Sequence, residues 1–193
     1  MNKIIKVLTA VLIFQFLLVA VSFYVSGLIT TSTEKKLLVT IPKENIVKIV
    51  LTGPGNKNVI LEKINGIWAL PSQNNFPANQ DQIDYLVDRL TKTELDSKIS
   101  QQKSSHDRLR VSESGFERKV SLFSKNGDSE VIFFGSAPSL RQSHARLTDN
   151  NNVHVVKFSA NDIDIQPNDW LKKDIFIVSE KDIKKITFGK VTL

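Results

Sequence analysis

An apolar run near the amino terminus constrains this chain more than anything that follows it. Between Lys6 and Glu34 no residue carries a charge, and from Val7 to Val25 only Thr9, Gln15, Ser22 and Tyr24 are polar. A helix rises ~1.5 Å per residue, so about 20 such residues cover a ~30 Å hydrocarbon core. The expectation is therefore a transmembrane helix over 7–29, acting as an uncleaved signal anchor. Lys3 and Lys6 form the positive start of a secretory signal, and small residues at Ala20-Val21-Ser22 and Val25-Ser26-Gly27 leave cleavage as the alternative. The length of the run favours the anchor, because signal h-regions are ~7–15 residues long. The chain has no cysteine, which excludes a lipoprotein and leaves no disulfide to place.

This reading divides the chain into a short cytoplasmic tail over 1–6, the anchor over 7–29, a polar stalk over 30–42 and an extracytoplasmic domain over 43–193. The expected location is the bacterial inner (cytoplasmic) membrane, crossed once. Lys35, Lys36 and Lys43 oppose that orientation, while a very short tail carrying lysine favours it. The 26 basic residues outnumber the 20 acidic ones, for a net charge of +6. They are scattered rather than clustered, so nucleic acid is not an expected partner. The surplus reads as a solvated surface, with a weak attraction to anionic lipid as an addition.

Beyond the run, β patterning dominates. An Ile- and Val-rich strand is predicted over 46–52, and Gly53-Pro54-Gly55-Asn56 turns it into a partner over 59–63. Asn65-Gly66 suits a tight hairpin because both residues tolerate positive φ, and 67–70 completes a meander. Asn79 is a helix cap with Gln82 three residues later, as in a capping box. Ile83, Leu86, Val87 and Leu90 follow at helical spacing, which predicts an amphipathic helix over 80–91. The stretch 97–105 reads mainly as a loop. Hairpins are predicted from 118–123 with 130–134, and from 144–147 with 153–158. A short helical or turn segment is expected over 162–173 and a last strand over 183–188. The heptads 45–51 and 182–188 echo each other, which is weak ground for a repeat. The fold class is α+β: one N-terminal transmembrane helix, then a mainly antiparallel domain of hairpins with one clear amphipathic helix.

Candidate chemistry is sparse. His106, His144 and His154 lack metal-ligand spacing and cysteine partners, so surface histidines are the preferred reading. Asp81, Asp84 and Asp88 share one side of the predicted helix, where a solvated face is the preferred reading over calcium or acid–base work. Ser104-Ser105-His106-Asp107 places triad residue types side by side, but a triad is assembled in space from distant segments. No Gly-x-Ser-x-Gly elbow or phosphate loop is present. No catalytic residue, metal or cofactor is expected. Trp68, Phe76 and Trp170 suit either a sugar-stacking platform or the core, and the core is preferred. Gln15 is a polar amide within the apolar run, where it calls for a partner helix. Gln15 and Trp170 are the expected partner-binding residues.

The order of these features resembles a known family. The predicted first strand is followed by Leu61-Glu62-Lys63-Ile64-Asn65-Gly66-Ile67-Trp68-Ala69-Leu70 and the Pro77-Ala78-Asn79 helix start. Then come Gly115-Phe116, a hairpin ending in Phe134-Gly135, and Trp170-Leu171-Lys172-Lys173. Over about residues 40–190 this is similar to the bacterial membrane-anchored domain-of-unknown-function family 4340, its best part being Glu-Lys-x-Asn-Gly-x-Trp. The resemblance implies an extracytoplasmic domain on one N-terminal helix, accompanying gliding-motility-type ABC transporters, and it carries over no catalytic residue. The expected function is non-enzymatic: a membrane-anchored accessory or scaffold subunit of a cell-envelope complex, associated with an ABC transporter. Its expected partners are the lipid bilayer and the transporter's transmembrane permease. The alternatives are an envelope scaffold for division or secretion, or a glycan-binding or hydrolytic module.

Overall fold

The computed structural model describes residues 3–28 and 36–174, which fall in two compact units, Met1–Lys36 and Leu37–Leu193. The first unit contains helix α1 (Lys3–Leu28), whose described side chains are all exposed. Among the described residues no helix is long and apolar enough to cross a membrane. The transmembrane anchor expected over 7–29 is corrected accordingly. With it go the single-pass inner-membrane location, the periplasmic domain and the cell-envelope setting that rest on it. Of the expected stalk, residues 30–35 lie outside the described residues, while Leu38, Val39 and Ile41 are buried in the main core, so 38–41 belong to the domain rather than to a polar stalk.

The second unit is mostly one antiparallel sheet, which also corrects the α+β reading with its membrane helix. Strands β1 (Ile46–Thr52), β2 (Asn58–Ile64), β3 (Ile67–Leu70) and β4 (Phe76–Pro77) form a meander. Asn65 and Gly66 sit at φ 52° and 84° between β2 and β3, the left-handed pair that a tight hairpin with the right twist requires. Helix α2 (Gln80–Lys92) leads to β5 (Leu95–Ser100) and the one-turn α3 (His106–Leu109). A second meander follows: β6 (Arg118–Ser124), β7 (Ser129–Phe134), β8 (Ser143–Leu147) and β9 (Val153–Val156). The order is β4-β3-β2-β1-β6-β7-β8-β9-β5. The two meanders thus run outward from an antiparallel β1–β6 pair at the centre.

That symmetry extends into the sequence. Phe76-Pro77-Ala78-Asn79 follows the first meander and Phe158-Ser159-Ala160-Asn161 follows the second, with both alanines buried. The echo at 182–188 and the last predicted strand lie outside the described residues. The expected loop over 97–105 is in part a strand: β5 pairs with β9 through two irregularities. Its side chains 96–99 are exposed and polar but for Ile99, so tertiary pairing, not apolar alternation, makes it a strand.

The sheet buries both faces. Ile49, Leu51, Leu61, Leu122, Ile132 and Phe134 face the main core, where Ile83, Leu86, Val87 and Leu90 of α2 cover them. These four helical residues are at most 4% exposed, each contributing about 1.5–3 kcal/mol of burial. Asn79 Oδ1 accepts the Gln82 N–H at 3.2 Å and caps the helix. The capping box is only half made, because the Gln82 side chain reaches Asp164 and the Asn79 N–H goes to Trp170 O. Gln80 takes over part of a strand's role: its amide bonds Trp68 N, Trp68 O and Ala78 O at 2.8–3.0 Å. On the opposite face, Leu109, Val111 and Phe116 pack on Phe133 and Val153 in a second, smaller core.

Candidate functional site

Cross-strand register decides what the predicted site residues can do together. Ala145 lies opposite His154 and His144 opposite Val155, so the two histidines project from opposite faces and cannot share a ligand. His144 Nδ1 lies 3.0 Å from Ser136 Oγ, and burial together with the Arg108 charge holds its pKa below the ordinary 6.5. His154 Nδ1 meets Asp96 O, and the buried His106 meets Asn151 O through Nε2. Ser105 bonds Ser100 and Gln102 rather than His106, so residues 104–107 assemble no triad. Among the described residues no group of three or more His, Asp or Glu is placed to hold a metal ion.

The helical aspartates serve local electrostatics. Asp88 pairs with Lys43 at 2.6 Å and with Lys92 at 3.3 Å, while Asp84 lies 4.0 Å from Lys43. The Lys43 hydrogen bond, then that of Lys92, lowers the Asp88 pKa below its ordinary 3.8. Trp68 and Trp170 are 3% and 1% exposed. Trp170 donates Nε1–H to Asp164 O, and its ring belongs to the main core, so its side chain is not offered to a partner. With Phe76 partly exposed and both tryptophans buried, no stacking platform forms among them. Gln15 lies on α1, exposed among exposed apolar side chains that include Leu12, Phe16 and Leu18.

Two features were not expected from the sequence. One is Arg146, 4% exposed in β8 and lying beneath the segment before β6. Its Nε donates to Val111 O at 2.8 Å, its Nη1 faces Leu147 O and Asn150 O, and its guanidinium lies 4.7 Å from the Phe133 ring centre. Burial pushes its pKa below the ordinary value, and the Glu113 carboxylate opposes that shift. Carbonyl oxygens and an aromatic face thus hold a cation that, among the described residues, forms no ion pair. The other feature is an open cleft of about 420 Å³ between the β1–β2 turn at 54–56 and residues 110–116, with Arg110, Glu113 and Phe116 in its wall. A lone arginine in a strand and charges at sequence position 110–113 carry no pattern that would have marked either.

Fold and surface together define a mostly antiparallel β domain accompanied by an exposed apolar helix. The chain belongs to the family described as domain of unknown function DUF4340, whose model matches residues 68–192. The match begins at Trp68, so the Glu62-Lys63 and Asn65-Gly66 part of the resemblance lies before it. No curated protein and no solved structure matches the chain.

Proposed function

We propose that this chain is a non-enzymatic accessory or scaffold subunit of a larger complex, with an ABC transporter of the gliding-motility type as the complex it serves. The observation that supports this is α1. Its described apolar side chains are all exposed, Val7, Leu8, Phe14 and Phe16 by 61–72%. A helix apolar all round is covered in its working state, and exposed apolar surface of this kind marks an interaction site. A surface of the transporter's permease is the proposed cover, with Gln15 supplying an amide that can both donate and accept hydrogen bonds. Resemblance to family members that accompany such transporters supports the choice of complex.

The test is recovery of the tagged full chain from its native cells in mild detergent, with co-purifying proteins identified by mass spectrometry. A permease together with its ATPase is the expected result. Recovery of the chain alone would overturn the stable-subunit reading. If Gln15→Leu recovers the partner as well as the native chain does, the amide plays no part in the contact.

A further inference from the structure

The two meanders make the cleft informative, because its counterpart is closed. At the β6–β7 end, Lys125 N donates to Asn45 O at 2.8 Å, joining the turn to the segment that precedes β1. At the β1–β2 end the corresponding turn and the segment preceding β6 stand apart, and the cleft of about 420 Å³ opens between them. That volume falls within the ~300–1,000 Å³ typical of small-molecule sites.

The walls are held by hydrogen bonds and by the second core. Val111 and Phe116 bridge each other as an antiparallel pair, and both are buried beneath the loop. Between them Ser112 N donates to Gly115 O at 3.1 Å and Gly115 N donates to Ser112 Oγ at 2.9 Å, closing a tight turn with Glu113 and Ser114 at its tip. Arg110 is fixed at φ 56° by its N–H bond to Asp107 O. Its Nε meets Glu117 Oε1 at 2.7 Å, which engages one edge of the guanidinium. The other edge, with its Nη donors, has no partner among the described residues and suits a carboxylate. Glu113, exposed at the tip of the turn, makes no ion pair within 4 Å among the described residues, and its charge is felt by the buried Arg146. Phe116 and Pro54 add apolar surface.

A simple anion here would face Glu113, and a simple cation would face Arg110. A ligand carrying both charges satisfies both groups. We propose that the cleft binds a zwitterion of the amino-acid type, a free amino acid or a short peptide, with its carboxylate on Arg110 and its ammonium on Glu113. This site is independent of the contact assigned to α1.

The experiment is an amide NMR titration of the isotope-labelled full chain, kept soluble in mild detergent, with the dipeptide Gly-Phe, its N-acetylated form, its C-terminal amide and free phenylalanine. Saturable shifts at Gly55, Gly115 and Phe116 are expected with the dipeptide, and blocking either terminus weakens binding about tenfold. Glu113→Gln removes the penalty for N-acetylation. Arg110→Asn, a residue that tolerates positive φ, removes the penalty for the amide. Free phenylalanine binding as well as the dipeptide assigns the site to amino acids, and weaker binding assigns it to peptides. The proposal is overturned if neither zwitterion saturates these shifts by about 10 mM, or if the blocked forms bind as well as their parent.

Discussion

Substituting Gly135 by alanine tests whether the end of β7 and the segment beneath Arg146 are packed as tightly as the structure shows. A methyl group there would overlap the carbonyl oxygen of Leu109 and lie 2.7 Å from both Arg110 O and Val111 Cγ1. Two of these three atoms are backbone, so no rotamer change relieves the overlap. Gly135 cannot retreat freely either, because its N–H bonds His144 O at 2.8 Å. Moving residues 109–111 instead strains the Ser136 N–H bond to Leu109 O at 3.0 Å and the Arg146 bond to Val111 O. Overpacking costs about 1–3 kcal/mol and a buried hydrogen bond left unmade about 1 kcal/mol, so Gly135→Ala is expected to lose about 3 kcal/mol. At ~2–4 °C per kcal/mol, the midpoint of thermal unfolding falls by about 6–12 °C. Gly53→Ala is the control: its methyl meets only the Ile165 side chain, which can rotate away, for about 1 kcal/mol or less. Urea unfolding of both variants beside the native chain measures the difference. If Gly135→Ala costs no more than Gly53→Ala, the packing argument is wrong.

Three further expectations follow from the same geometry. Arg146→Met keeps an apolar stem near Phe133 but strips Val111 O and its neighbours of their donor, so urea unfolding should show a loss of about 2 kcal/mol; an unchanged midpoint would mean that those carbonyls find other partners. Gln80→Ala removes the amide that bonds Trp68 and Ala78 and should cost about 1–2 kcal/mol by the same assay, a loss that Gln80→Glu recovers only through its acceptor half. His144 titrates below its unfolded value, so the unfolded chain takes up a proton first as pH falls through about 6.5, and stability declines from there toward the lower folded pKa. His144→Asn should flatten that slope between pH 7 and 5, and an unaltered slope would remove His144 as its source. Asp88, held below its ordinary 3.8, loses its contribution only in more acid solution, so the two windows are separable.

Where local chemistry governs, the sequence reads directly. Asn65-Gly66 turns the chain because both residues accept the positive φ values that a tight hairpin turn requires. Asn79 caps α2, and the spacing of Ile83, Leu86, Val87 and Leu90 gives that helix its buried side. The Ile and Val content of 46–52 and the alternation of Val120 and Leu122 within 118–123 mark strands, because β-branched and alternating apolar residues suit a buried pleated surface. The sequence also determined that α1 carries no charge beyond Lys6 and is largely apolar from there, but not what covers it.

Tertiary structure decided the rest, because these features depend on which segments become neighbours. Asp96, Ser97 and Lys98 have no strand pattern of their own, and they are extended because β9 leaves an edge for them to pair with. His144 and His154 belong to one hairpin, yet a register one residue different would have put them on the same face. Arg146 looks like any surface arginine in a strand until the segment before β6 folds across it. The cleft exists because one of two nearly equivalent corners stays open. Residue type and spacing encode turns, caps and amphipathic faces, whose interactions span a few residues. Burial of a charge, the face on which a histidine projects and the cleft that opens between the β1–β2 turn and residues 110–116 are set by packing between distant segments, which no local pattern records.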